Sequence, residues 1–306
     1  MSANETPDLS LGMISEIAQQ RRKEAQPILE RELPEWVLEI SQTEVAYNIN
    51  PRMLPLRQVC FPRLLQTLKE EYNIEFVRPD LGPLYKDITA NRTDEEIGSL
   101  LLKSQNPLQF ENGRFSVSKS DFVPIGGIGI NDEWISVRVH GISQVAELVV
   151  AEVAEWIWSS AGVQKRWDDI KKHIRLITYI TGTVVNLGFP FESLMSDKLV
   201  GFIKSDMLAG RKYSADMGAH SQRYDFKTSP TVTSVYTLDE LHILFHLSDA
   251  VTGRAESSRF RFSVLTKDTR GTGIVFVSSE LTFDRHIACL QDLIKAVGSA
   301  EGNSTA

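Results

Sequence analysis

Cysteine is scarce in this chain. Only Cys60 and Cys289 occur in 306 residues, far apart and without a C-x-x-C partner. That excludes a disulfide framework and the usual zinc-ribbon spacings, and it fits buried free thiols in a reducing compartment. Long apolar runs are also missing. The longest weakly charged stretch, Leu176 to Phe191, has 16 residues and contains Gly182, Asn186 and three threonines. It is too short and too polar to be a membrane span. The opening segment MSANETPDLS offers neither the basic nor the apolar part of a secretory signal. Basic residues are outnumbered, 33 against 40, which gives a net charge of −7 and argues against general nucleic-acid binding. There is no G-x-S-x-G, no Walker loop and no H-E-x-x-H, so no cofactor is expected. These absences together predict a soluble, cytoplasmic protein with no membrane association.

What is present is a normal globular composition. Hydrophobic residues make up 42% and charged residues 24%, enough apolar surface for a sizeable core in about two domains. Residues 1–105 read as a mainly helical N-terminal region. Met13, Ile14, Ile17, Ala18, Ile28 and Leu29 recur at helical spacing, with Pro27, Pro34, Pro55 and Pro62 as breaks. Arg21, Arg22 and Lys23 read there as a solvated helix face.

From 106 to 298 the pattern turns to alternation. Asn112-Gly113 is the strongest hairpin signal, because both residues accept the positive φ of a type I′ turn. In EWISVRVHG, Ile135, Val137 and Val139 face inward, opposite Trp134, Ser136, Arg138 and His140. A helix over 142–160 is apolar around most of its circumference, so it is expected to be buried. A second helix, 282–298, carries Ile287, Leu290, Ile294 and Val297 on one face. Between the two helices stand the strands RLITYITGTVVNLGF, LHILFHL, RFRFSVL and GIVFVSS, with an aperiodic loop over 211–230. Residues 299–306 read as a disordered tail. The expected fold class is α+β: an N-terminal helical segment, then a mainly antiparallel sheet packed against the helices at 142–160 and 282–298. The runs 127–157 and 271–297 echo one another, which raises two similar halves within 106–298.

The best candidate for chemistry is LDELHILFHLSD. On a helix, His242 and His246 would rise about 6 Å apart on one face, with Asp249 as a third metal ligand. On a strand they would stand about 13 Å apart, too far to share an ion. The alternation of Leu241, Ile243, Phe245 and Leu247, answered by Phe260, Phe262 and Val264 beyond a polar loop, favours the strand. Ile243 also stands where a zinc hydrolase would carry its glutamate. His242 and His246 then belong to a polar sheet face beside Arg259 and Arg261, and no metal is expected.

Other constellations have ordinary readings as well. The glycines Gly126, Gly127 and Gly129 lie in the strand FVPIGGIGIN and another strand follows, so they suit a bend or bulge better than a phosphate loop. The turn Thr269-Arg270-Gly271-Thr272-Gly273 could present a small anion nest, although a hairpin turn accounts for it. Glu147, Glu152 and Glu155 interrupt the apolar helix. They read as paired acids with raised pKa values, as a wet stripe, or as partners of arginines such as Arg138. Asp169 and His173, four apart, make a surface pair, and His286 three before Cys289 is a chance spacing. Trp156 and Trp158 cannot share a helix face, so one must meet a second layer or a partner.

No catalytic residue emerges. The expectation is a non-catalytic interaction or assembly protein, with a protein partner or a second copy as its ligand. One alternative is a small-ligand-binding module with an apolar cavity between sheet and helix. Another is a metal-dependent hydrolase using His242, His246 and Asp249.

Overall fold

The computed structural model describes residues 19–23, 26–28, 30–50, 59, 61–78, 108–116, 121–131, 133–194, 240–248, 255–265 and 272–302. They fall into two compact units. Unit 1 comprises residues 1–32 and 42–179, and unit 2 comprises residues 33–41 and 180–306.

Unit 1 is built on strands β1 (Val37–Ile49), β2 (Phe76–Arg78), β3 (Leu108–Ser116), β4 (Phe122–Ile130) and β5 (Trp134–Val139). Their order is β2-β3-β4-β5-β1, antiparallel throughout. Helix α1 (Phe61–Tyr72) and helix α2 (Ser143–Ser160) accompany them, followed by the short turn α3 (Trp167–Ile170). The register is fixed by the buried face. Val45, Val137 and Ile128 line up across three strands, and each is fully buried. Val145, Ala146, Val149, Val150 and Val153 of α2 are likewise sealed from solvent, each buried valine contributing about 1.5 kcal/mol or more. A Schellman motif ends α2. Gly162 adopts φ +75°, its N–H bonds Ser159 O at 2.9 Å, and Val163 N–H bonds Trp158 O at 3.1 Å.

Unit 2 holds β6 (Ile174–Asn186), β7 (Glu240–Ser248), β8 (Ala255–Val264) and β9 (Ile274–Ser279) in the order β6-β9-β8-β7, again antiparallel. Helix α4 (Phe283–Gly302) follows β9. Residues 174–179 of β6 group with unit 1, and residues 37–41 of β1 group with unit 2. The core of unit 2 gathers Val185, Leu187, Phe189, Phe191, Phe260, Phe262, Val275, Val277, Leu281 and Leu290. The two units repeat one topology. Three consecutive strands run into a helix, and a long earlier strand pairs beside the last of the three.

The expected fold class needs correction. Nine antiparallel strands dominate the described residues, helices are few, and the chain is not an N-terminal helical segment followed by a sheet packed on long helices. Residues 37–49, which the spacing of apolar residues put within the mainly helical region, form the longest strand of unit 1. The helical reading rested on apolar residues at helical spacing upstream of this segment, but Thr43, Val45, Tyr47 and Ile49 alternate inward and tertiary pairing overrides it. The Asn112-Gly113 hairpin is also corrected, because both residues lie inside β3. Asn112 takes φ +57°, while Gly113 sits against α1, where a Cβ would come within 2.6 Å of Ile74 Cδ1 and 3.1 Å of Tyr72 O. The glycine serves close approach rather than a turn. The register shift between Ile125 and Gly127 places a bulge at Gly126, as the glycine cluster suggested. The readings at 211–230, 269–271, Cys60 and Asp249, and the last four residues of the tail, fall outside the described residues.

Candidate functional site

The most chemically distinctive group in unit 1 centres on Glu152. Helix α2 is apolar enough to be buried, so a glutamate at 152 is carried inside with it and is 1% exposed. The helix supplies no counter-charge of its own. Tyr72, at the end of α1 and fully buried, donates its hydroxyl to Glu152 Oε2 at 2.6 Å. Arg22, in the helical turn at 19–23, reaches the same oxygen at 3.8 Å and bonds Glu71 Oε2 at 2.8 Å. Its guanidinium also lies 5.8 Å from the centre of the Phe115 ring. Next to it, Arg21 grips Glu155 through two parallel bonds of 2.7 and 2.6 Å. Glu155 Oε1 further accepts the Trp167 N–H at 2.6 Å.

Burial dominates the titration here. It pushes the Glu152 carboxyl up to about 7, against the opposing pull of Arg22 and the Tyr72 hydrogen bond. The Tyr72 phenol rises well above its usual value through burial and the neighbouring Glu152. For Arg22, burial works against the charge, but Glu152 and Glu71 outweigh it and raise the pKa. Glu152 Oε1 and Arg22 Nε are buried without a hydrogen-bond partner among the described residues. The carboxylate, phenol and guanidinium are therefore close-packed and sealed. Of the three, only the Glu152 carboxyl titrates near neutrality.

A second polar group sits nearer the start of α2. Tyr179 donates to Glu147 Oε1 at 3.1 Å, and Tyr47 packs edge-on against Trp167 at 5.5 Å. Burial raises all three titratable groups, the Tyr179 phenol to about 12. On the opposite face of the same sheet, Glu44, Gln109, Glu111, Gly127, Ile128, Gly129, Ser136 and Arg138 line a shallow depression of about 80 Å³. Arg138 lies across the bare backbone of Gly126 and Gly127.

In unit 2, His286 of α4 is fully buried between two hydroxyls. Thr183 Oγ1 lies 2.8 Å from Nε2 and Ser279 Oγ lies 2.7 Å from Nδ1. The ring stacks on Phe260 at 5.3 Å. Burial holds its pKa down to about 3, so the imidazole is neutral. Serine, histidine and threonine in contact resemble a nucleophile with its base, but Ser279 is 3% exposed and Thr183 is sealed. They form a structural hydrogen-bond set in the core. No family model, curated protein or solved structure matches the chain.

The histidines singled out from sequence lie on a strand. His242 and His246 both belong to β7, where they face Arg261 and Ser257 of β8 in register. His242 Nε2 lies 2.5 Å from Glu240 Oε1, and the same oxygen takes Arg261 Nε. Burial would raise the Glu240 pKa, but the bonds from His242 and Arg261 prevail and lower it. Among the described residues no three His, Cys, Asp or Glu side chains converge as metal ligands. Asp169 pairs with Lys172 at 2.8 Å instead of His173. Trp156 is buried 5.0 Å from Tyr72, while Trp158 carries Lys165 over its ring at 4.1 Å. Burial raises the Cys289 thiol, which makes it less reactive.

Two readings of charge are corrected. Glu152 is not part of a wet stripe, and its arginine is Arg22, not Arg138. Arg21 and Arg22 are not a solvated face, since their side chains are only 15% and 16% exposed. Glutamates on an apolar helix were a usable signal. The arginine that answers them, 130 positions away from Glu152, carries no local sign of that contact.

Proposed function

We propose that this chain is a non-catalytic interaction or assembly protein, working through exposed apolar strand surface. The observation that supports this is at the start of β6. Within unit 1, Leu176 is 53% exposed and Ile177 is 39% exposed. They are adjacent, so they point to opposite faces of the strand. Residues 175–178 are exposed on both faces, and the ladder with β9 begins only at Thr181. In unit 2, Leu38 near the start of β1 is 51% exposed as well. Soluble proteins normally blunt such strands with charge or proline, and a partner strand or a second copy would cover them by strand addition.

Among the described residues no helix is long and apolar enough to cross a membrane. No three His, Cys, Asp or Glu side chains gather among the described residues as the metal-hydrolase alternative would need.

The test is the native mass of the full chain and of a Leu176→Lys, Ile177→Lys double variant. The expected result is a mass above one chain, or a co-purifying protein, that the variant loses while keeping its circular dichroism. A wild-type chain that runs as a bare monomer at all concentrations and retains no protein refutes the reading.

A further inference from the structure

We propose that residues 19–23 form a detachable strap over α1 and α2 of unit 1, and that the proton on Glu152 sets how tightly the strap is held. The attachment is made by two side chains. Arg21 clamps Glu155 through both oxygens, at 2.6 and 2.7 Å. Arg22 bonds Glu71 at 2.8 Å and lies 3.8 Å from Glu152. Beneath them Glu152 has one hydrogen bond, from Tyr72, and an Oε1 with no partner among the described residues.

The groups acting on Glu152 are Arg22, Tyr72, Arg21 and Glu71, with Glu155 one turn along on its own helix. Both positive charges in that set come from the strap. Lifting the strap from an ionised Glu152 leaves a buried charge opposed by a phenol alone, which is costly. Lifting it from a protonated Glu152 leaves a neutral acid, which is tolerated. Burial places that proton near neutrality. The sign follows from linkage. Arg22 lowers the Glu152 pKa when the strap is on, so docking strengthens as pH rises and weakens as pH falls. Release would free Glu71 and Glu155, two carboxylates already shaped to guanidinium groups, while Glu152 stays beneath them against Tyr72.

Hydrogen–deuterium exchange of the full chain at pH 6 and pH 8, corrected for intrinsic rates, tests this on the amides of residues 19–23. Protection is expected to rise from pH 6 to pH 8, by on the order of tenfold for each pKa unit that strap removal adds to Glu152. Glu152→Gln should hold protection near the wild-type pH 6 level at both values. Glu155→Gln should lower protection at both and keep the pH dependence. Equal wild-type protection at the two pH values overturns the proposal, and so does a pH dependence that survives in Glu152→Gln. If Glu152→Gln does not fold, Arg22→Gln serves in its place: it should abolish the rise, and a rise that persists overturns the proposal equally.

Discussion

His286 shows how little a residue type says before its neighbours are known. Its two ring nitrogens meet Thr183 and Ser279, and its face meets Phe260. In the neutral ring one nitrogen donates and the other accepts, and each hydroxyl takes the complementary role. The folded pKa is depressed to about 3 from 6.5. An unfolded chain therefore takes up a proton below about pH 6.5 that the folded chain refuses. The contribution of His286 to stability is present above pH 6.5 and is lost as pH falls toward 3, at up to about 1.4 kcal/mol per pH unit. Urea unfolding of His286→Leu against wild type, at pH 7 and pH 4.5, is expected to show the variant's deficit shrinking at the lower pH. A constant deficit would mean that the imidazole is not kept neutral.

Two glycines with the same backbone conformation separate strain from crowding. Gly162 and Gly273 both have φ near +75°, but a Cβ at Gly162 meets nothing within 4 Å, while one at Gly273 runs into Phe189 O. Gly162→Ala is expected to cost about 1 kcal/mol for the left-handed backbone alone. Gly273→Ala adds a main-chain clash and is expected to cost on the order of 3 kcal/mol. Thermal melts of the two variants compare them directly, and equal losses would contradict the close approach at Phe189.

At the scale of elements, β8 turns alternation into a prediction. Phe262 is fully buried, whereas the side chain of Arg261 beside it is 54% exposed. Phe262→Ala is expected to cost about 3–5 kcal/mol, and Arg261→Ala about 1 kcal/mol, since the arginine end of its pair with Glu240 is exposed and Glu240 keeps His242. Urea midpoints measure both. Comparable losses would mean that the strand does not present alternate faces. This alternation is what made β5, β8 and β9 readable from sequence, because each buries every second residue. It failed at β1, where Leu38 and Glu39 are both exposed and only the run from Thr43 to Ile49 alternates. It failed again at Asn112-Gly113, where a dipeptide suited to turns meets the packing of α1 instead. The strand setting of His242 and His246 was legible because their neighbours alternate. The Glu152 group was only half legible, since an acid on a buried helix announces a partner but not where in the chain it lies.

For the molecule as a whole, net charge and exposed apolar surface act in opposite directions on association. A charge of −7 repels a second copy, but that repulsion is screened beyond about 8 Å at physiological ionic strength. Contact through Leu176 and Ile177 does not depend on ion pairing and would be strengthened by salts excluded from protein surface. Self-association in sedimentation velocity is therefore expected to persist or tighten from about 0.05 M sodium chloride, where screening is weak, to about 0.5 M, where it is strong, and to tighten further in sulfate. The opposite trend, dissociation on adding salt, would place the contact on charged groups such as the Arg21 and Arg22 clamp. The same titration on the Leu176→Lys, Ile177→Lys variant then separates the two, because a clamp-borne association survives those substitutions and a strand-borne one does not.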